Sequence, residues 1–334
     1  IYFRNTDDPT PTEVWLARAM DHLASLESER AVTLPIAFVN WPTTDPLVHS
    51  DEPLEEEDMV GVDANHVLAT AAWPGGTFAS YHAYPYYPDF QRYEAGIAGF
   101  ELDGEPDNYA GYLTKLRDHH RAAGLPVMIT EFGVPSSIGS AHHGPQGRNQ
   151  GGHSEREAMA INAELMDVIH RVGLAGGLVF AWQDEWFKVT WNTIDLEIPA
   201  DRRQMWANPW TNEANFGLLA MEPGEAPLVV IDGNRGEWED NGSQVILEAL
   251  GLVREVRAVK DEGYLYLGIV LDEGQSLEES PVVIGFDTID GGSPVLPAVG
   301  AIGWDEADYA ITISAGGTAE IKVRASADPL VLQY

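Results

Sequence analysis

Residues 125–133, Leu-Pro-Val-Met-Ile-Thr-Glu-Phe-Gly, decide the fold that this sequence predicts. A short apolar run bounded by turn residues is typical of a buried strand. This run ends in one carboxylate, Glu131, which an aromatic residue and a glycine follow. In a barrel of alternating strands and helices, residues at the C-terminal strand tips face the active site. Glu131 is therefore a candidate catalytic group, although a lone glutamate at a strand end can also simply cap the next loop.

Two similar runs flank this strand, at residues 78–88 and 177–186, and each changes from apolar to aromatic and polar residues at its end. Helical patterns separate the runs. Residues 108–123 and 154–172 carry apolar side chains at three- and four-residue spacing, and the second opens with a capping-box pattern at Ser154. Alternating strands and helices predict a parallel sheet. We therefore expect one shared site at the C-terminal ends of these strands.

These motifs together resemble the clan A retaining glycoside hydrolases, which are TIM barrels. Residues 129–133 are similar to the seventh-strand nucleophile motif of that clan, and residues 81–84 to its sixth-strand His-x-Tyr element. Trp182 matches the eighth-strand tryptophan that forms the floor of the sugar subsite. The resemblance covers roughly residues 13–220 and implies an enzyme that cleaves glycosidic bonds by double displacement, with Glu131 as nucleophile.

The resemblance also implies roles for the neighbours of Glu131. A hydrogen bond from Tyr84 or Tyr81 to the ionised carboxylate would help to keep the pKa of Glu131 low. His82 is expected to orient the nucleophile or to bind a sugar hydroxyl, and a purely structural histidine is an equal alternative. The mechanism requires no cofactor.

Retaining glycosidases need a second carboxyl group about 5–5.5 Å from the nucleophile, and the resemblance puts it at the end of strand four. Residues 35–41 read as strand five and residues 12–29 as the helix before it, so strand four is expected upstream of Ile1. The Asn212-Glu213 pair follows strand eight in a polar loop and is interpreted as a decoy. The sequence thus predicts strands five to eight of a TIM barrel, a fragment that alone is expected to lack full activity.

Further candidate sugar-binding residues follow the predicted strands. The first group follows strand five and consists of Asn40, Trp41 and Asp45. The second group lies at the tip of strand eight and consists of Asp184, Glu185 and Trp186. Asp184 or Glu185 is also a candidate in-chain acid, against the alternative that they bind hydroxyls or pair with Lys188. The long polar loop at residues 135–152 is typical of binding loops or lids.

A change of composition marks the end of the barrel part, residues 1–220. Residues 221–227 read as a linker, and residues 228–334 carry short strand-like runs typical of an antiparallel β-sandwich. Residues 231–233 with Glu237 and Trp238, residues 261–266 and residues 285–288 together loosely resemble family nine carbohydrate-binding modules. The resemblance implies sugar binding, with candidate structural Ca²⁺ ligands at Asp232, Asp287 and Asp290. A purely structural sandwich is an equal alternative.

Composition restricts the setting and the partners. The chain has 53 acidic and 19 basic residues, a net charge of −34, and no cysteine. This charge argues against binding to nucleic acid or anionic membranes, and the absence of cysteine excludes a thiol mechanism. Neither a membrane span nor a targeting signal is recognisable. Because molar salt screens such repulsion, we expect a halophilic source, with an acidic secreted protein of a mesophile as the alternative. The expected function indicates an extracellular or cell-surface location.

Two function classes remain open. The first is a glycosidase built around Glu131 that acts on a polysaccharide or oligosaccharide. The second is a non-catalytic carbohydrate-binding protein that keeps a degenerate barrel cleft. The sequence specifies neither the sugar, nor the linkage, nor the oligomeric state.

Overall fold

The computed structural model describes most of the first two thirds of the chain and parts of the remainder. The described residues are 1–58, 60–137, 140–185, 188–190, 194, 211–219, 227–261, 264–277, 282–287, 307, 309–314 and 318–323. The chain divides into two compact units, Ile1–Ala220 and Met221–Tyr334. The first unit contains both helices and strands, and the second is dominated by strands.

The first unit alternates strands with helices. Its helices are α1 (Pro11–Glu29), α2 (Phe90–Tyr93), α3 (Ala95–Ala98), α4 (Asn108–Arg121) and α5 (Glu155–Val172). Its strands are β1 (Phe3–Asn5), β2 (Val39–Asn40), β3 (Val67–Ala69), β4 (Ala79–His82), β5 (Glu101–Leu102), β6 (Glu105–Pro106), β7 (Val127–Phe132) and β8 (Gly177–Val179). Capping boxes start both long outer helices, at Thr10 in α1 and Ser154 in α5. In each, a hydroxyl and a glutamate satisfy backbone N–H groups that have no partner within the helix.

A four-stranded parallel sheet in the order β2-β4-β7-β8 forms the centre of the first unit. The predicted parallel sheet is therefore confirmed, although β2 is only the end of the run expected at residues 35–41. Side chains of β4, β7, α4 and α5 form the main hydrophobic core, with Tyr81, Ile129, Leu116 and Leu165 fully buried. An antiparallel pairing of β1 with β3, which the sequence did not predict, packs beside α1.

The second unit contains two separate antiparallel sheets. Its elements are α6 (Gly236–Asp240), β9 (Gln244–Leu250), β10 (Val253–Lys260), β11 (Leu265–Leu271), β12 (Val282–Phe286), β13 (Tyr309–Ile313) and β14 (Ala319–Val323). The sheets have the orders β11-β10-β9 and β12-β13-β14. The expected antiparallel pairing is confirmed, but the strand predicted at residues 228–231 is wrong, because these residues form bends instead. Across the described parts of both units, every helix is too short or too polar to span a bilayer.

Candidate active site

A local irregularity in the parallel sheet brings the candidate nucleophile level with His82. Tyr81 of β4 pairs with Ile129 of β7, but the next residue, His82, pairs with Glu131. Thr130 is thus an extra residue in β7, and its hydroxyl lies 2.6 Å from that of Ser80. In a regular strand, residues two apart share a face. The bulge lets Ile129 stay in the core while Glu131 faces a cavity, which agrees with the way bulges redirect side chains near active sites.

The carboxylate of Glu131 is held by two side chains from the segment that ends β4. The hydroxyl of Tyr84 donates a hydrogen bond to Oε2 of Glu131 at 2.9 Å. Nδ1 of His82 lies 2.9 Å from the same oxygen. Oε1 makes no hydrogen bond to any described residue, so the carboxylate has one anchored oxygen and one oxygen that remains available for chemistry.

The surroundings of Glu131 favour its ionised form. Burial by itself raises the pKa of this carboxyl group, but His82, Tyr84 and the charge of Lys188 outweigh burial and lower the pKa overall. Burial also raises the pKa of Tyr84 far above its ordinary value, with a further contribution from Glu131. The phenol therefore keeps its proton and acts as a donor. This arrangement gives an ionised carboxylate in a partly desolvated setting.

A cavity of about 540 Å³ opens beside Glu131, within the range of about 300–1,000 Å³ that is usual for ligand pockets. Phe180, the residue after β8, lines it, and Gly133 passes so near Phe180 that a Cβ there would lie 2.8 Å from its carbonyl oxygen. The wall combines aromatic rings with few charged groups. Its residues are Trp41, Thr43, Tyr84, Tyr86, Tyr87, Glu131, His142, Gln150, Phe180, Lys188, Val189, Thr190, Glu213 and Phe216.

Trp41 is a predicted binding residue that the structure brings to this cavity. Its ring stacks on Tyr84 at 6.2 Å between centroids and meets the ring of His82 edge-on at 5.6 Å. Trp182 is highly exposed and does not belong to the described cavity wall, where Phe180 stands instead. Trp186 lies outside the described residues.

The structure puts three other predicted site residues into buried networks away from the cavity wall. The hydroxyl of Tyr81 lies 2.7 Å from Nε2 of His120, so Tyr84 alone of the two tyrosines contacts the nucleophile. Asn40 holds its own loop, donating to the carbonyl of Val62 at 2.7 Å. Asp45 is 1% exposed and accepts hydrogen bonds from the loop backbone and from Tyr112. Strand-end position predicted these residues, but their side chains point elsewhere.

The two predicted acids after β8 also have protein partners, and they lie beyond the end of that strand at Val179. Asp184 accepts a hydrogen bond from the backbone of Gly217 at 2.7 Å, which ties the loop after β8 to residues 211–219. Glu185 pairs with Lys188 at 2.9 Å, as the alternative interpretation of the sequence expected. Neither residue belongs to the described cavity wall.

Several residues of the cavity wall were not predicted as site residues. Glu213, interpreted from sequence as a decoy, lines the cavity and pairs with Lys188 at 3.1 Å. Gln150, from the long polar loop, contacts Glu213 at 3.4 Å. Arg148 anchors that loop through a buried bidentate ion pair with Asp107. The polarity of the loop was the available signal, whereas nothing local indicated which of its side chains would turn inward.

The described residues that could bind a metal ion lie in the first unit, whereas the sequence predicted calcium ligands in the second. Among the described residues, the grouping with suitable geometry is Asp63, His119 and His120, in the first unit. Its groups already bond to protein: His120 contacts Asn65 and Tyr81, and Asp63 contacts His119 at 2.8 Å. The expected calcium ligands Asp232 and Asp287 are exposed and belong to no such described grouping, and Asp290 lies outside the described residues. Calcium in the second unit stays a prediction.

Comparison of the chain with protein-family models, with curated proteins and with solved structures gives no match in any of the three.

Proposed function

We propose that the first unit carries the nucleophile of a retaining glycoside hydrolase acting on a polysaccharide or oligosaccharide. The observation that carries this proposal is the Glu131 carboxylate at the end of β7, with one oxygen held by Tyr84 and His82 beside the cavity. Oε1 attacks the anomeric carbon as the bond to the leaving oxygen breaks, and water then cleaves the glycosyl-enzyme. The ionised state that this attack needs agrees with the lowered pKa of Glu131.

The proposal extends to the architecture. We infer that β2, β4, β7 and β8 correspond to strands five to eight of a TIM barrel. Their parallel order and the position of the cavity at their C-terminal ends support this assignment. The reaction also needs an acid/base, a second carboxyl group about 5–5.5 Å from the nucleophile. The antiparallel sheets of the second unit are proposed to form a β-sandwich that resembles carbohydrate-binding modules.

A trapping experiment on the full-length protein tests the nucleophile. A panel of 2-deoxy-2-fluoro glycosides with good leaving groups should label one peptide, residues 125–133, and mass spectrometry should assign the adduct to Glu131. Glu131→Ala should lower turnover by at least about 10³-fold, and azide should restore part of it as the glycosyl azide. Glu101→Gln, a change of an exposed carboxylate on β5, is the control. Undiminished turnover of Glu131→Ala refutes the assignment.

The same measurements separate the two function classes. A non-catalytic carbohydrate-binding protein would bind oligosaccharides without labelling and without turnover in the full-length protein. In that outcome the cavity would be a binding cleft, and Glu131 would be a hydroxyl ligand rather than a nucleophile.

The proposed setting is extracellular or at the cell surface in a salt-rich environment. A net charge of −34 gives strong self-repulsion at low ionic strength, and the Debye length falls from about 10 Å at 0.1 M to about 3 Å at 1 M salt. Thermal unfolding should therefore shift to clearly higher temperature between 0.1 and about 2 M NaCl. A melting temperature that does not change with salt would remove the reason for a halophilic assignment.

A further inference from the structure

The cavity that contains Glu131 also contains a second set of polar side chains that contact one another. Lys188 contacts Glu213 at 3.1 Å, and Nε2 of Gln150 donates to the other oxygen of Glu213 at 3.4 Å. These three side chains, here named the Glu213 cluster, all line the cavity that contains Glu131. Lys188 also lowers the pKa of Glu131 through its charge, so the two parts of the cavity influence each other electrostatically.

The Glu213 cluster contains a buried acceptor that is not satisfied by the described protein. Gln150 is 5% exposed, and its Oε1 has no hydrogen-bond partner among the described residues. Leaving a buried acceptor unpaired is unfavourable, because the group has given up its hydrogen bonds to water. A ligand in the cavity that donates a hydrogen bond to Oε1 would remove this penalty. The orphaned oxygen thus indicates a ligand with hydroxyl or N–H groups.

The segments that hold the Glu213 cluster are fixed to one another. Thr190 lies two residues after Lys188, and its hydroxyl donates to Oδ1 of Asn212 at 2.9 Å. The backbone N–H of Glu213 donates to the hydroxyl of Thr211 at 3.3 Å. Thr190, Thr211 and Asn212 are all buried. Polar groups held in this way are preorganised, which lowers the entropic cost of binding a ligand.

The charges around the cavity favour an uncharged ligand over an acidic one. Glu131 and Glu213 line it, and Glu185 pairs with Lys188. Among the described residues of the wall, Lys188 supplies the one ammonium group, and His82 contacts Glu131 from beside the wall. Burial lowers the pKa of His142, the histidine of the described wall, so it adds no positive charge near neutral pH. A uronic acid or sulfated sugar would meet uncompensated negative charge.

We propose that the Glu213 cluster is the hydroxyl-binding subsite of this cavity and selects uncharged sugar rings. Glu213 and Oε1 of Gln150 accept hydrogen bonds from neighbouring sugar hydroxyls, and Lys188 holds Glu213 in position through their ion pair. The rings of Tyr86 and Tyr87 provide flat apolar walls beside the cluster. This assignment rests on the proposed glycosidase function, because it takes the ring to be the one whose anomeric carbon faces Glu131.

Calorimetry with an inactivated full-length protein tests the subsite. The Glu131→Gln variant is titrated with cellotetraose, laminaritetraose, mannotetraose and maltotetraose, and with tetragalacturonate as the acidic probe. At least one neutral tetrasaccharide should bind, and tetragalacturonate should bind more weakly than that sugar. Addition of Glu213→Gln or Gln150→Met should weaken binding by about tenfold or more, since each removes an acceptor of hydrogen bonds from the sugar. Gln150→Met leaves the charge of the Glu213 cluster unchanged, so it provides the test of the subsite if Glu213→Gln folds poorly.

Glu185→Gln is the matched control, because it alters the other partner of Lys188 but not the described cavity wall. Binding that is unchanged in both cluster variants, tighter binding of the acidic probe, or no binding by any neutral probe overturns the subsite. Failure of the nucleophile assignment is seen separately, as turnover that survives Glu131→Ala. If Glu213→Gln binds normally but loses turnover that azide restores, Glu213 is an acid/base and the binding role is wrong.

Discussion

Two histidine–carboxylate pairs in the first unit contain the same chemical groups but differ in how far solvent can reach them. His82 contacts Glu131 at 2.9 Å at the edge of the cavity, with side chains 23% and 22% exposed. His49 contacts Asp45 at 3.2 Å and Glu94 at 2.7 Å, and the side chains of His49 and Asp45 are fully buried. A group that takes part in a reaction must be reached by substrate. Accessibility, rather than the type of pair, therefore separates a candidate reactive site from a structural one.

The partners of each pair reinforce this difference. Asp45 receives hydrogen bonds from the backbone of Leu47 and the hydroxyl of Tyr112, at 2.7 Å each, in addition to His49. Both of its oxygens are thus committed to protein groups. In Glu131, by contrast, both partners, Tyr84 and His82, contact the same oxygen, Oε2. The first pattern is typical of a buried structural ion pair, and the second keeps one oxygen available.

The largest effect on stability should come from breaking the buried pair. Asp45→Ala leaves the hydroxyl of Tyr112 and Nε2 of His49 without their acceptor, and removing one partner of a buried ion pair costs about 3–5 kcal/mol of unfolding free energy. Urea denaturation followed by circular dichroism measures this loss. Glu131→Ala, the matching truncation in the accessible pair, should cost much less. Equal losses of unfolding free energy in the two variants would show that the two pairs contribute equally to stability and would contradict this prediction.

The next largest effect concerns activity. Tyr84→Phe removes a hydrogen bond to the ionised Glu131, and hydrogen bonds to charged groups are worth about 1.5–3 kcal/mol, so kcat/KM should fall by about 10- to 150-fold. The acidic limb of the pH profile should move to higher pH, because the pKa of Glu131 rises without this donor. Tyr81→Phe is the control, since its hydroxyl contacts His120 instead. A similar kinetic loss in both variants would speak against the role of Tyr84.

The pH dependence of stability should reveal the buried histidines with opposite signs. Burial favours a lower pKa for His49, but Asp45 and Glu94 outweigh it and raise the pKa above 6.5. The stabilisation by protonated His49 is therefore complete below pH 6.5 and lost as pH rises through its folded pKa. For His120, burial lowers the pKa to about 4 from 6.5, so its stabilisation is lost as pH falls through this window. Each titration contributes a slope of at most about 1.4 kcal/mol per pH unit.

Melting temperatures from pH 4 to 9 measure both slopes. His49→Gln should flatten the alkaline side of the profile, and His120→Gln should flatten the acidic side. A profile in which His49→Gln changes only the acidic side would mean that the buried pair is not protonated in the folded protein.

The smallest effect should come from a site remote from both pairs. Ser154→Ala removes the N-cap of α5 and should lower the unfolding free energy by about 1 kcal/mol without changing kcat/KM. Denaturation and kinetics on the same preparation check both statements. A kinetic change in this variant would show that losses of stability alone affect activity, and the Tyr84 result would then need correction by the same amount.

Local patterns were sufficient to predict much of the first unit. The capping box at Ser154 and the apolar spacing of α4 and α5 come from interactions a few residues apart, and the structure reproduces them. The parallel order of β4, β7 and β8 followed from alternation with helices. Strand position also predicted that Glu131 and the sixth-strand segment would meet. Choosing Tyr84 over Tyr81 required the three-dimensional structure.

The remaining features of the site depend on contacts between segments that lie far apart in the sequence. Asp45 follows a strand and so resembled a sugar ligand, yet it turns towards His49, only four residues later, and Tyr112, which is far away in sequence. Glu213 had no local signal for a cavity role, because Lys188 and Gln150 come from other loops. In the second unit, the apolar run at residues 228–231 was mistaken for a strand, since short apolar runs are ambiguous by periodicity alone.

The bulge at Thr130 implies that this site depends on residue count as much as on residue identity. If Thr130 paired regularly with His82 instead of forming the bulge, Glu131 would share the face of Ile129 and point into the core, as residues two apart in a strand do. The carboxylate would then leave the cavity even though every side chain of the site was retained. An inserted residue that shifts Glu131 by one place relative to His82 should therefore be far more damaging than a substitution of Thr130, and a glutamate at a strand end without this register does not specify the site.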